Sequence, residues 1–162
     1  MFSRADVAER LGGFVYGTIV VLSVIVAGAK AYPDDTTRIA VLVVATTVVF
    51  WLAHAYAHAL THSVRTGEQL TFDEVRQIGS HEAALILAGV PSIAVLLLGS
   101  LDVLDADTAV WLALCLGLVV LAVQGFVFAR AERLGPKGTV AVVAVNLALG
   151  LLLVALKLLV AK

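Results

Sequence analysis

Five apolar runs, each long enough to cross a lipid bilayer once and separated by mostly short polar connections, dominate this chain: Gly13 to Ala31, Ile39 to Leu60, Ala83 to Leu101, Thr108 to Ala129 and Thr139 to Val160. A hydrocarbon core of about 30 Å needs about 20 apolar residues at about 1.5 Å per residue. Inside it every backbone N–H and C=O must be paired within the protein, so only helices or closed barrels can span. The runs are too long and continuous for barrel strands. With 61% of its 162 residues hydrophobic and only 14% charged, the chain has too little polar surface for a water-soluble globule. The expected fold is therefore all-α, a polytopic membrane helix bundle of about five spans forming a single transmembrane domain over residues 1–162.

Charge sets the expected orientation. With the N-terminus inside, the inner segments hold Arg4, Arg10, Arg65, Arg76, Arg130, Arg133 and Lys137, and the outer ones Lys30, Arg38, Lys157 and Lys162. Seven against four favours N-terminus in and C-terminus out, because basic residues are retained on the cytoplasmic side. The first eleven residues carry mixed charge and lead into a full-length span without a small-residue cleavage site, so no removable signal is expected. A net charge of −1 gives no reason to expect a nucleic-acid partner. Cys115 stands alone in an apolar run, which excludes an intrachain disulfide or a cysteine metal site and suggests an inert packing residue. The expected partner is the bilayer itself, as a multi-pass protein of the cell membrane, the inner membrane of a bacterium.

The longest connection, residues 65–81, reads as an amphipathic segment at the inner interface. Thr71 followed by Glu74 resembles a capping box, and Phe72, Val75 and Ile78 then share one helical face. Pro91 lies within the third run and removes a backbone donor, which predicts a kink there. Gly89, Gly117, Gly125 and Gly150 would let helices approach closely.

Polar groups inside hydrocarbon are costly, so they are the candidates for function. His54, His58 and His62 recur every four residues and form a ladder on one face of the second span. Counted from Ile39, His54 lies about 22 Å in and His58 about 28 Å, with His62 at or beyond the inner boundary. Three readings stay open. His58 and His62 meet headgroups while His54 hydrogen-bonds a neighbouring helix; or His54 belongs to a network controlling ion or proton passage; or His54 and His58 ligate haem or a divalent metal, with His81 and Glu82 able to approach His62. Gln124 and Asn146 are expected to hydrogen-bond between helices, and Lys157 to reach outward at the end of the last span. No nucleophile with its base, phosphate loop or paired carboxylate is present, so the chain does not read as an enzyme.

At the start of the first span the order Arg10, Leu11, Gly12, Gly13, Phe14, Val15, Tyr16, Gly17 resembles the opening of the lysosomal potassium channel family and its bacterial homologues, which write Arg, three residues, then Phe-Ser-Asp. Arg10, Phe14 and Gly17 match in spacing, while Val15 and Tyr16 stand where the family has serine and aspartate. Phe50, Trp51, Leu52, Ala53 and His54 are similar to its second-span pattern, and Pro91 falls where its third span often has proline. The resemblance covers roughly the first hundred residues, against six spans per repeat in the family and five here. It implies a homo-oligomeric channel for a monovalent cation, potassium or protons, with Val21, Ile25 and Gly28 lining an apolar constriction and Arg10, Trp51 and His54 in a supporting polar network. Two other functions are compatible with the sequence: a histidine-ligated cofactor protein, and a structural or partner-binding subunit that docks through Thr71 to Ser80.

Overall fold

The computed structural model describes residues 4–66, 71, 76, 79–80 and 83–160, and among these the side chains of all but 4–11, 62, 65–66, 85, 156–158 and 160. All the regular structure described is helical: α1 (Arg4–Ala31), α2 (Thr36–Thr66), α3 (Ala83–Leu87), α4 (Val90–Ser100), α5 (Ala106–Ala131) and α6 (Pro136–Val160). Helices α1, α2, α5 and α6 are each long and apolar enough to cross a membrane, and α3 with the shorter apolar α4 forms a fifth, interrupted segment between α2 and α5. The chain is thus an all-α membrane bundle. Helix α2 is longer than its apolar run suggested: 31 residues make about 46 Å at about 1.5 Å per residue, beyond the about 30 Å of hydrocarbon.

Local chemistry explains where the helices stop. The Asp35 carboxylate accepts the Arg38 backbone N–H at 2.9 Å and pairs with the Arg38 guanidinium at 3.1 Å, capping α2 after the turn at Pro33. Asp105 caps α5 by accepting the Thr108 N–H at 2.8 Å, and that hydrogen bond holds its carboxyl below the usual aspartate range. Helices α4 and α5 both end in paired backbone bonds of the Schellman type: Val103 N–H to the Leu98 carbonyl with Asp102 to Gly99, and Leu134 to Ala129 with Arg133 to Arg130. The left-handed residue of each motif is not glycine but Asp102, at φ 56°, and Arg133, at φ 54°.

Helix α1 is the hub, packed against α2, α3, α5 and α6. Leu22 and Ile25 of α1, Ile39 of α2, Leu96 of α4, and Leu114 and Leu121 of α5 are fully buried and form one core. Lipid is as apolar as leucine, so this packing is held by close contact rather than by release of water. Two glycines set the distances. At Gly99 a β-carbon would sit 2.7 Å from the Ala109 β-carbon, and at Gly117 one would sit 2.5 Å from Leu22 Cδ2. Helix α6 is the peripheral member, with Val140, Val145, Leu151 and Leu152 facing outward where acyl chains would cover them.

The third crossing breaks three residues before the expected kink. Pro91 has no N–H to offer the Leu87 carbonyl, so α3 stops at Leu87, the chain turns through Ala88 and Gly89, and α4 restarts at Val90. Pro91 then occupies the first turn of α4, where no intrahelical donor is needed. Of the connecting segment, Thr71 and Arg76 are exposed whereas Gly79 is buried. Phe72, Glu74, Val75 and Ile78, which carried the expected amphipathic face, lie outside the described residues.

Candidate functional site

The α1 stripe points inward. Val21 is 1% exposed, Ile25 is fully buried, and Gly28 is covered by Ile39, whose side chain would lie 3.3 Å from a β-carbon there. A stripe lining an axis between subunits has to face out of its own protomer, and this one is enclosed by α2, α3–α4 and α5. Within the single chain the three residues therefore lie in the interior and not on its outer face.

The break in the third crossing lies against this same stripe. A β-carbon at Gly89 would stand 3.2 Å from Val21 Cγ2, and both Ala88 and Gly89 are buried. Helix α4 contains 11 residues from the break to its far end, about 16 Å, and Val21 lies ten residues before the end of α1, about 15 Å. Both positions are therefore close to the middle of a bilayer about 30 Å thick. Just beyond the break, the buried Ser92 hydroxyl donates to the Ala113 carbonyl of α5 at 3.1 Å.

Nearer the end of the bundle where α1 begins, the remaining polar groups form two sets. On one side the Thr18 hydroxyl donates to the Phe14 carbonyl at 2.8 Å and accepts from Gln124 Nε2 at 3.1 Å, while Asn146 Nδ2 donates to the Leu121 carbonyl at 3.3 Å. Gln124 is 6% exposed and its Oε1 has no partner among the described residues, an arrangement that leaves an amide carbonyl desolvated in the core. Next to this set lies a cavity of about 370 Å³ between α1, α5 and α6, lined by Val15, Ile19, Phe128 and Val142 with Tyr16 and Asn146.

On the other side, Tyr16 stacks obliquely on His54, ring centroids 5.2 Å apart, and on Phe50 at 6.0 Å. Trp51 ties down the connecting segment, its indole N–H donating to the Gly79 carbonyl at 2.8 Å. Of the expected Arg10–Trp51–His54 network, His54 meets Tyr16 and Trp51 meets Gly79, while the Arg10 side chain lies outside the described residues. So do the His62 side chain and all of His81 and Glu82. His58 is exposed on the part of α2 nearest its end. Among the described residues no three His, Cys, Asp or Glu side chains come together as a metal site. Cys115 is exposed on α5, so it is not the packing residue its apolar surroundings suggested.

Three features carried no sequence signal strong enough to find them. The Gln124–Thr18 pair joins residues 106 positions apart, the Trp51–Gly79 bond depends on how the connection folds back, and the cavity is a gap between three helices. The signals that did exist were the isolated amides in apolar runs and the Gly-Val-Pro order at Gly89 to Pro91. No family model matches the chain, and no curated protein or solved structure was found to be significantly similar to it.

Proposed function

We propose that this membrane protein provides a pathway for a monovalent cation, potassium or protons, running inside each protomer beside the break in the third crossing. The observation that carries the reading is the turn at Ala88–Gly89, near mid-depth and against Val21 of α1. Irregular backbone at membrane depth is tolerated only where protein or a water-filled cavity encloses it, and interrupted helices are where many transporters hold their ions. Pro91 supplies no N–H for the Leu87 carbonyl, so the chain brings a backbone oxygen of suitable chemistry for a monovalent cation to this depth. Val21 and Ile25 then act as an apolar constriction, which gates by dewetting. A homo-oligomer is compatible with this proposal, but each protomer contains its own route.

The experiment is ion flux in proteoliposomes. The protein should pass potassium or protons, and Val21→Thr, which places a hydroxyl in the constriction with little change of volume, should raise the rate; Ile25→Asn should alter it as well. Thermal unfolding of each variant separates loss of flux from loss of fold. No flux of potassium, sodium or protons above empty vesicles, in the parent and in a folded Val21→Thr variant, would refute the proposal.

A further inference from the structure

The cavity between α1, α5 and α6 is separate from the break and extends along α1 from Gly12 to Ile19. Gly12 lines its outer limit and Ile19 its deeper part, seven residues or about 10 Å apart along α1, while Asn146 reaches it ten residues into α6. Its walls are apolar except for the Tyr16 phenol and the Asn146 amide. A volume of about 370 Å³ is at the small end of the about 300–1,000 Å³ typical of ligand sites, enough for one chain-like group and not for a bulky one. In a membrane the group that reaches such a slot from the side is an acyl chain.

Charge at the cavity's end of the bundle distinguishes among lipids. The turn joining α5 and α6, which close the cavity against α1, carries Arg130, Arg133 and Lys137 against Glu132, all of them exposed. Arg133 is held by its left-handed backbone (φ 54°) at the end of α5, and the Arg130 guanidinium rests over Phe126 at 5.1 Å. These cations stand at the membrane boundary, because Phe128 is three residues from the end of α5 and Gly12 is at the start of the apolar part of α1. Basic groups there attract anionic headgroups with about 1 kcal/mol each.

We infer that the cavity binds one acyl chain of an anionic phospholipid, with its phosphate at the basic α5–α6 turn. The site is independent of the proposed ion pathway. Its test is native mass spectrometry of the purified protein titrated with phosphatidylglycerol and phosphatidylcholine of the same chain length. Phosphatidylglycerol should bind at least about five-fold more tightly. Val142→Trp and Gly12→Leu, which fill the slot from two different helices, should each reduce binding of both lipids about ten-fold or more; circular dichroism confirms the fold. Arg133→Gln with Lys137→Gln should leave the cavity intact and bring phosphatidylglycerol down to the level of phosphatidylcholine. Equal binding of the two lipids by the parent, or binding unchanged in both filled variants, would overturn the assignment. A dimer that covers α6 and takes up neither lipid would overturn it as well.

Discussion

Replacing Gln124 by leucine should make the protein more stable, against the usual direction for removing a hydrogen-bonding residue from a core. Two opposing terms at one side chain decide the sign. Gln124 is almost completely buried and makes one described bond, from Nε2 to Thr18 Oγ1 at 3.1 Å, while its Oε1 is buried without a partner among the described residues. Side-chain hydrogen bonds between membrane helices are worth about 0.6 kcal/mol on average and at most about 1.7. A buried acceptor left unsatisfied costs about 1–3 kcal/mol. Leucine has nearly the same volume, has no polar atom, and leaves Thr18 satisfied, because its hydroxyl already donates to the Phe14 carbonyl at 2.8 Å. With the average bond the two terms differ by about 0.4–2.4 kcal/mol, so the expected net effect is a stabilisation of about 1 kcal/mol. Reversible unfolding in mixed micelles, or steric trapping in bicelles, measures it. Thr18→Val gives the control: it removes the acceptor for Nε2 and leaves the whole amide unpaired, and should destabilise by about 1–3 kcal/mol. If Gln124→Leu instead lost about 2 kcal/mol or more, Oε1 would have to be engaged by a bound water or ion, and the balance of terms would be refuted. Flux measured on the same variant separates stability from function.

The tight helix crossing at Gly99 gives a second expectation. Gly99→Ala gains about 1 kcal/mol of helix propensity but drives a β-carbon to 2.7 Å from the Ala109 β-carbon and 3.0 Å from Thr36 Cγ2. The Ala109 β-carbon cannot rotate away and Thr36 presents both Cγ2 and Oγ1 within 3.2 Å, so overpacking of about 1–3 kcal/mol should dominate. Gly12→Ala, where nothing lies within 4 Å, should gain the propensity alone; equal stabilities for the two variants would show that this crossing is not tight. For the connecting segment, Trp51→Phe retains a ring but removes the bond to the Gly79 carbonyl, a net loss of about 1 kcal/mol. Hydrogen exchange of the Gly79 region should speed up with little change in the rest of the bundle, and unchanged exchange would mean that the indole N–H does not anchor this segment.

Much of the fold was legible in order and in type. The runs beginning at Gly13, Ile39, Ala83, Thr108 and Thr139 correspond to the five crossings, because an apolar stretch of about 20 residues in lipid has essentially one way to satisfy its backbone. Asp35 and Asp105 stand in short connections between apolar runs, but their capping geometry was not legible. The displacement of the break from Pro91 to Ala88–Gly89 was half legible: proline identifies the carbonyl that loses its donor, Leu87, and the adjacent buried glycine determines where the chain can turn.

The direction in which side chains face was not legible. Any apolar helix contains an i, i+4, i+7 stripe, and nothing in the order Val21, Ile25, Gly28 says whether it meets lipid, a second protomer or its own bundle. In water, polarity marks the outer face of a helix; in lipid both faces are apolar, and hydropathy stops discriminating. What the amino-acid sequence determined alone was therefore the solvent, the number of crossings and the small set of polar groups that have to be accommodated within them. Only the tertiary structure decided that α1 lies at the centre, that Gln124 meets Thr18 from 106 positions away, that Trp51 holds Gly79, and that a slot remains between α1, α5 and α6. Those outcomes depend on which helices touch and how closely, and that is set by small residues and van der Waals fit distributed over several segments rather than by a pattern within any one of them.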